Sequence, residues 1–479
     1  MSISRRSFLR TGALGLGAAG FLSAFEHVGL GSASAAASVN SQYKALVVVF
    51  LFGGNDSNNM VVPNDATGAY AYSRYAASRS AATCDFFITQ AGGTNPGLPI
   101  TPTNLSTHSF MLHPSMPRLQ ALFTTDKKLA VLCNVGTLVE PTKKNTSDGT
   151  YFNPVTLAPA TLPSQLMSHR DQQDEWQTAI ANPVLEVTPT GWGGRIADTY
   201  TAPTFPVVFS DAGSSLFTHG AATSPLVVSA TGTFGLTTLD GGGNAPFLAQ
   251  LAGQTSIQTL TAANQTITNN ALTYAGALNT ALTNNAVVWN PGTWDNTGSL
   301  GDELKKIAEV IAASGPNGLN LTKQVFFCSR GGFDTHADQA VDQVALYAEL
   351  DNALAAFYDA MGQIGAANKV VLATESDFSR TLAPGSFSGT DHAWGGHQLI
   401  LGGPVKGGKL FGTFPDLTTG GADDMDGSTA KPGGEGRWVP TTSVDQYAAT
   451  LAAWFDPTLS LTTLFPNLAS FSPQTLTFV

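Results

Sequence analysis

Asp334, His336, Asp377, Arg380, Asp391, His392 and His397 stand in segments otherwise rich in glycine and apolar residues. Charged residues are only 12% of the chain and it holds eight histidines, so three histidines beside three aspartates in one stretch point to metal binding or acid/base chemistry. Asp334-Thr335-His336 sets two ligand-type side chains two residues apart, on one face of an extended segment. The competing reading makes Asp334 a helix cap and His336 a solvent-facing side chain. Asp391 and His392, with His397 five residues on, sit among glycines as candidate ligands. Arg380 follows Asp377 by three residues, placed either to pair with it or to hold a substrate oxyanion with its fork. Glu375 is a reserve carboxylate on the same face as Asp377.

Two residues outside this stretch join the set. Asp56 ends Gly53-Gly54-Asn55-Asp56, where the glycines let the backbone turn and an aspartate offers hard oxygen to a cation; an Asx turn is the plain alternative. Ser168 opens Ser168-His169-Arg170-Asp171, which reads as a helix start. Backbone N–H groups favour an anion there, so Ser168 is a candidate nucleophile as well as a candidate cap, and His169 a stabiliser of developing charge.

The elements that must position these residues are buried strands. Ala45 to Phe52 is a continuous apolar, β-branched run, repeated in type at Leu129 to Val135, Pro206 to Ser210, Gln324 to Cys328, Lys369 to Thr374 and Gln398 to Leu401. Helical spacing falls between them, at Met116 to Phe123, Leu162 to Ala181, Phe247 to Leu282, Leu304 to Ala313, Ala337 to Met361 and Ser443 to Phe455. The alternation predicts a three-layer α/β/α sandwich with a mostly parallel central sheet, whose ligands sit outside the carboxyl ends of the strands. Asp56, Asp334 and Asp377 each follow such a strand, so the topology delivers three acids to one edge. Residues 212–298, rich in Thr, Ala, Asn and Gly, read as an insertion or cap on a single domain spanning 38–479.

With 479 residues and 43% hydrophobic content the chain has ample material for a core, and a net charge of -11 without a basic run argues against nucleic acid. Ser4-Arg5-Arg6-Ser7-Phe8-Leu9 followed by an uncharged Gly/Ala/Leu stretch reads as a twin-arginine signal over residues 1–37, with cleavage near Ala36 to Ser38. The expected partner is therefore the twin-arginine translocon, and the mature chain is expected to be periplasmic or secreted, without a stable membrane span. Gly15-x-Gly17-x-x-Gly20 lies inside that signal and is not a nucleotide site. Three widely spaced cysteines permit one disulfide and no thiol metal site.

The ordered set Gly53-Gly54-Asn55-Asp56, Ser168-His169, Gly332-Phe333-Asp334-Thr335-His336, Ser376-Asp377-Phe378-Ser379-Arg380 and Gly389-Thr390-Asp391-His392 resembles the domain of unknown function 1501 family. Its members are commonly twin-arginine-exported bacterial proteins, and the family looks like a branch of the alkaline phosphatase and sulfatase superfamily. The resemblance implies Asp56, Asp334, His336, Asp377 and one of His392 or His397 as metal ligands, with Ser168 as nucleophile. It departs at Phe378, where the superfamily usually has a histidine, and at Asp377, where the family's customary residue is Glu; both put a second metal in doubt.

These readings lead to an exported hydrolase of small anionic phosphate or sulfate esters, dependent on one or two divalent cations (zinc, manganese, magnesium or calcium), with a serine nucleophile. Two rivals stand beside it. One is an exported binding or surface protein that keeps the fold without catalysis; the other is a metal-independent esterase using Ser168, His392 and Asp391. The absence of a G-x-S-x-G elbow speaks against the latter.

Overall fold

Strand β1, Lys44–Leu51, is buried on both sides, and its side chains divide by parity. Ala45, Val47, Val49 and Leu51 enter one apolar cluster, whereas Leu46, Val48 and Phe50 enter another. A strand alternates faces at every residue, so one apolar run feeds two cores. Each valine, leucine or phenylalanine among them, fully buried, contributes on the order of 1.5–3 kcal/mol.

The computed structural model describes residues 39–80, 83–181, 189–200, 205–228 and 259–479. The signal-peptide reading at 1–37 and the first part of the helical pattern, 247–258, lie outside the described residues. The remaining strands of the main sheet are β2 Leu129–Gly136, β3 Val208–Ser210, β4 Leu226–Val227, β5 Lys323–Arg330, β6 Val370–Ser376, β7 Gly396–Gly402, β8 Leu410–Gly412 and β9 Thr442–Ser443. Their order is β8-β2-β7-β6-β1-β5-β3-β4, with β9 also on β2, nine strands among the described residues. Every pairing is parallel except the two made by β7, which runs against both β6 and β2.

Helices cover both faces. On one side lie α1 Pro117–Thr124, α4 Thr259–Asn284, α5 Gly298–Ala312 and α6 Gln339–Gln363, which give Leu119, Leu278, Leu304 and Leu350 to the first cluster. On the other lie α2 His169–Thr178, α3 Trp192–Asp198 and α7 Val444–Phe455, which give Trp176, Trp192 and Tyr447 to the second. The architecture is an α/β/α sandwich on a mostly parallel sheet. Within the stretch read as a cap, β4 extends the sheet edge and Leu278 packs into the main core.

Two local features differ from the sequence pattern. The helix expected from Leu162 begins only at His169, because Gln165 and Met167 take positive φ (52° and 67°) in the preceding turn. The three cysteines are buried and free, so the possible disulfide does not form.

Candidate metal centre

The parallel strands β1, β5 and β6 end on the same edge of the sheet, and the antiparallel β7 begins there. That geometry brings residues after Leu51, Arg330 and Ser376 next to residues just before Gly396. Gly53 and Gly54 carry the chain off β1 with φ of 113° and 87°. A Cβ on Gly53 would lie 2.3 Å from the Asp334 nitrogen, and one on Gly54 would lie 2.5 Å from the Phe378 ring. Glycine is required there for the close approach of the Asp334 turn and of Phe378.

Around Asp334 three imidazoles converge. His336 Nε2 lies 3.1 Å and His392 Nε2 3.3 Å from Oδ1, while His169 Nε2 lies 3.3 Å from Oδ2. His336 and His392 face each other, Nε2 to Nε2, at 2.9 Å. Each ring is held from behind through Nδ1. His169 donates to Asp377 Oδ2 at 2.7 Å, His336 to Asp391 Oδ1 at 3.0 Å, and His392 to the Met167 carbonyl at 2.8 Å. Carboxylate and carbonyl oxygens accept, so each neutral ring keeps its proton on Nδ1 and presents a bare Nε2 lone pair. Three lone pairs and a carboxylate therefore point at one another with no proton between them. His169 Nε2 is buried without a hydrogen-bond partner among the described residues.

Donor chemistry and spacing both suit a small cation. Ligands at about 2.0–2.1 Å in a tetrahedron stand about 3.3–3.4 Å apart, near the 3.1–3.3 Å between each Nε2 and the Asp334 carboxylate, whose Oδ1 faces His336 and His392 and whose Oδ2 faces His169. Three imidazoles favour zinc and its neighbours over magnesium or calcium, which take oxygen. His169, Asp334 and His392 each bring one ligand atom within 4.8 Å of the other two; His336 approaches from the Asp334 Oδ1 side.

Electrostatics follow from these contacts. The Asp377 hydrogen bond raises the basicity of His169 against the effect of burial. Burial works to raise Asp334, but the Arg380 hydrogen bond and charge, with His169 and His336, hold it below the usual carboxylate range. Burial lowers His392. Phe378, 3% exposed, lies with ring centroids 4.9 Å from His169 and 4.6 Å from His392. It forms an apolar wall against two imidazoles.

Several residues take other places than the sequence suggested. Asp56 is 2% exposed and both its oxygens are engaged: Oδ2 by Arg79 Nη1 at 2.7 Å and Gln339 at 2.6 Å, Oδ1 by Arg79 Nη2 at 3.2 Å and the Asn58 amide at 3.1 Å. It caps the turn Ser57–Met60 and neutralises a buried arginine, leaving no lone pair directed at the histidines. Asp377 and Asp391 orient rings through Nδ1 rather than joining the four converging donors. Asp377 further accepts from Gln173 at 2.8 Å and from the Gly53 amide at 3.2 Å. Arg380 has a fully buried side chain; it donates to Asp334 Oδ1 at 2.7 Å, to the Thr390 carbonyl and to Gly53, so it positions Asp334. Ser168 precedes α2 without capping it, and its hydroxyl donates to Asp171 Oδ2 at 2.5 Å. Since Asp391 pairs with His336, and His392 with Met167, a Ser168–His392–Asp391 relay is not formed.

His397 is buried inside β7, where its Nδ1 accepts the Asn134 amide at 3.1 Å and its ring packs on Phe414 at 4.7 Å. Burial lowers its pKa from 6.5 to about 3. The folded state refuses a proton that the unfolded chain accepts below pH 6.5, so the stabilisation is lost as pH falls from about 6.5 toward 3. The expected slope is up to about 1.4 kcal/mol per pH unit. Urea unfolding of wild type and His397→Gln between pH 7 and pH 4 tests this: the wild type should lose the more stability on acidification, and parallel curves would refute the assignment.

Signals for the missed partners were thin. The positive φ of Met167 (67°), which costs about 1 kcal/mol or more in a non-glycine residue, accompanies the turn of its carbonyl toward His392 and has no sequence signature. Arg79 gave none either.

Comparison with known proteins agrees in part. A family model described as "Protein of unknown function (DUF1501)" matches residues 321–426, a span that holds Asp334, His336, Asp377, Arg380, Asp391 and His392 but not His169. No curated protein matches the chain. Among solved structures, Ps i-CgsB in complex with k-i-k-neocarrahexaose is 8% identical, with 87% of this chain and 73% of that one covered at a TM-score of 0.34. The C-terminal periplasmic domain of EcEptC from Escherichia coli, in complex with Zn, is 12% identical over 76% and 74%, at 0.30. The PsFucS1 sulfatase from Pseudoalteromonas sp. is 9% identical over 78% and 66%, at 0.31. Structural likeness at these values is slight.

Proposed function

We propose that the protein is an exported hydrolase of phosphate or sulfate esters that works with one divalent cation, zinc in preference, held by His169, Asp334, His336 and His392. The observation that carries this reading is the convergence of three Nε2 atoms on the Asp334 carboxylate at 3.1–3.3 Å, each ring held at Nδ1 by an acceptor oxygen. A cation bound there supplies Lewis acidity toward an anionic ester.

The chain's own residues do the rest. Asp377, Asp391 and the Met167 carbonyl fix the three rings, and Arg380 fixes Asp334. Phe378 keeps water from one side of His169 and His392. Ser168 is the candidate nucleophile: its Oγ would bond to phosphorus or sulfur as the ester oxygen departs with the bonding pair, and Asp171, already accepting its hydrogen bond, would take the proton. Water would then attack the phosphorus or sulfur of the serine ester, the bond to Oγ would break, Oγ would regain a proton and phosphate or sulfate would leave. Export by the twin-arginine translocon, with a periplasmic or secreted mature chain, belongs to the same reading. It is supported by the Arg5-Arg6 pattern, and among the described residues no helix is long and apolar enough to cross a membrane.

Elemental analysis of the purified mature protein is the primary test. One equivalent of metal is expected; a protein that stays metal-free after incubation with zinc, manganese, magnesium or calcium ends the proposal. Ser168→Ala should lower ester hydrolysis by about 10²-fold or more while metal content is unchanged, and retained activity would remove Ser168 from the mechanism. A negative phosphatase and sulfatase screen with metal bound would favour the binding-protein reading.

A further inference from the structure

Beyond His336 and His392 the centre opens into a cavity of about 300 Å³, at the small end of the range for small-molecule sites. Its other walls are Met167, Met425, Asp391, Asp426 and Arg437. For a site expected to take an anionic ester, this wall is poor in free positive charge. Arg437 is its cation, and the guanidinium is already committed. Nε donates to the His392 carbonyl at 2.8 Å, Nη1 pairs with Asp426 Oδ2 at 2.6 Å, and Nη2 pairs with Glu435. Lys144 supports the same loop from behind, 4% exposed, and its ammonium donates to the Asp426 and Gly427 carbonyls.

The carboxylates are less satisfied. Asp391 gives Oδ1 to His336, whereas its Oδ2 accepts no hydrogen bond among the described residues, on a side chain that is 55% exposed. Asp426 and Glu435 thus share the guanidinium of Arg437, and Asp391 lines the same cavity without pairing to it. An anionic group entering beside them meets net repulsion, and a cation meets an unpaired carboxylate oxygen. The two thioethers add soft, polarisable, apolar walls that suit the methylene or methyl groups around an ammonium nitrogen. Four donors for a metal on one side and acids with methionines on the other divide the site by charge.

We propose that this cavity binds the alcohol portion of the substrate and that this portion is cationic, an ammonium-bearing alcohol, while the anionic head faces the histidines. The inference rests on the ester-hydrolase reading and gives it a substrate class: esters that are zwitterionic as a whole.

The test uses the metal-loaded protein and two independent readouts. In the first, kcat/KM is compared for choline phosphate, glycerol phosphate and 3-phosphoglycerate, whose alcohol portions are cationic, neutral and anionic. The expected order is that one, with roughly tenfold or more between the first and the last, the scale of one or two partly exposed charge interactions. Met425→Lys, which puts a cation in the wall, should erase or reverse the preference, and Met425→Leu should keep it; both should retain their metal. Equal or better use of 3-phosphoglycerate by the wild type, or an unchanged preference in Met425→Lys, overturns the proposal. In the second readout, calorimetry follows choline alone binding to the wild type and to Met425→Lys. If no ester is turned over, the hydrolase reading fails, and calorimetry decides the cavity by itself. Choline binding that the lysine abolishes sustains it, and no binding to the wild type ends it.

Discussion

Asp334→Ala is expected to strip the centre of its metal and of ester hydrolysis together. Among the described residues Asp334 is the one carboxylate that meets all three Nε2 atoms, so its removal leaves three neutral donors without the charge that attracts a cation. Loss of a partner that only orients a ligand costs about 10–100-fold in metal affinity, and loss of the anionic ligand should exceed that. Stability should fall too. Arg380 has a fully buried side chain and would lose its ion-pair partner, although Asp334 itself is 45% exposed. Breaking a fully buried pair costs about 3–5 kcal/mol; solvent access to this one brings the expectation down to about 1–2 kcal/mol. Asp334→Asn keeps an acceptor for Arg380 and separates the two effects: metal lost, most of the stability kept. Elemental analysis and urea unfolding of both variants measure this, and stoichiometric metal in Asp334→Ala would show that the centre is not built on this carboxylate.

The layers of the fold were legible because strands buried on both faces need long apolar runs, and Ala45 to Phe52 could hardly be anything else. Helices such as Gln339–Gln363 followed from spacing to within two residues. Strand direction was not legible. Nothing in Gln398-Leu-Ile-Leu401 says that this strand runs against its neighbours, yet that reversal is what brings His392, ahead of the strand, to the edge where Asp334 and Asp377 emerge. His397, expected at the site, lies within that strand and its imidazole turns into the sheet packing. Pairing between adjacent residues also misled. Asp391 and His392 looked like one ligand pair, but neighbours in an extended segment point apart: Asp391 orients the His336 ring, and His392 donates to the Met167 carbonyl. His169 was legible as a polar residue beside a helix start; that its Nε2 meets Asp334 depends on where α2 docks, which is a matter of packing. The Met167 carbonyl, a backbone group, has no residue type to betray it.

The largest loss of stability is expected at Asp56, where sequence reading and structure part most clearly. As a metal ligand, Asp56 would matter for metal content and little for folding. As the partner of Arg79 it matters for folding first. The Arg79 side chain is 0% exposed and the Asp56 side chain 1%, so neither charge has water to fall back on. Arg79 also donates to the carbonyls of Thr381 at 2.7 Å and Leu382 at 2.8 Å, and Asp56 accepts from Gln339 at 2.6 Å. The pair therefore ties the turn after β1, the segment after Arg380 and the start of α6 to one another beneath the metal centre. Asp56→Ala leaves a guanidinium buried without an anion, and the expected cost is about 3–5 kcal/mol. Replacing both partners, Asp56→Leu with Arg79→Met, removes the orphaned charge and should recover part of that loss, because apolar substitutes of similar size often match a buried pair. Urea unfolding gives the stabilities, and metal analysis of the folded protein discriminates the roles. The double variant should still bind its equivalent of metal. A double variant that is stable yet metal-free would return Asp56 to the ligand set.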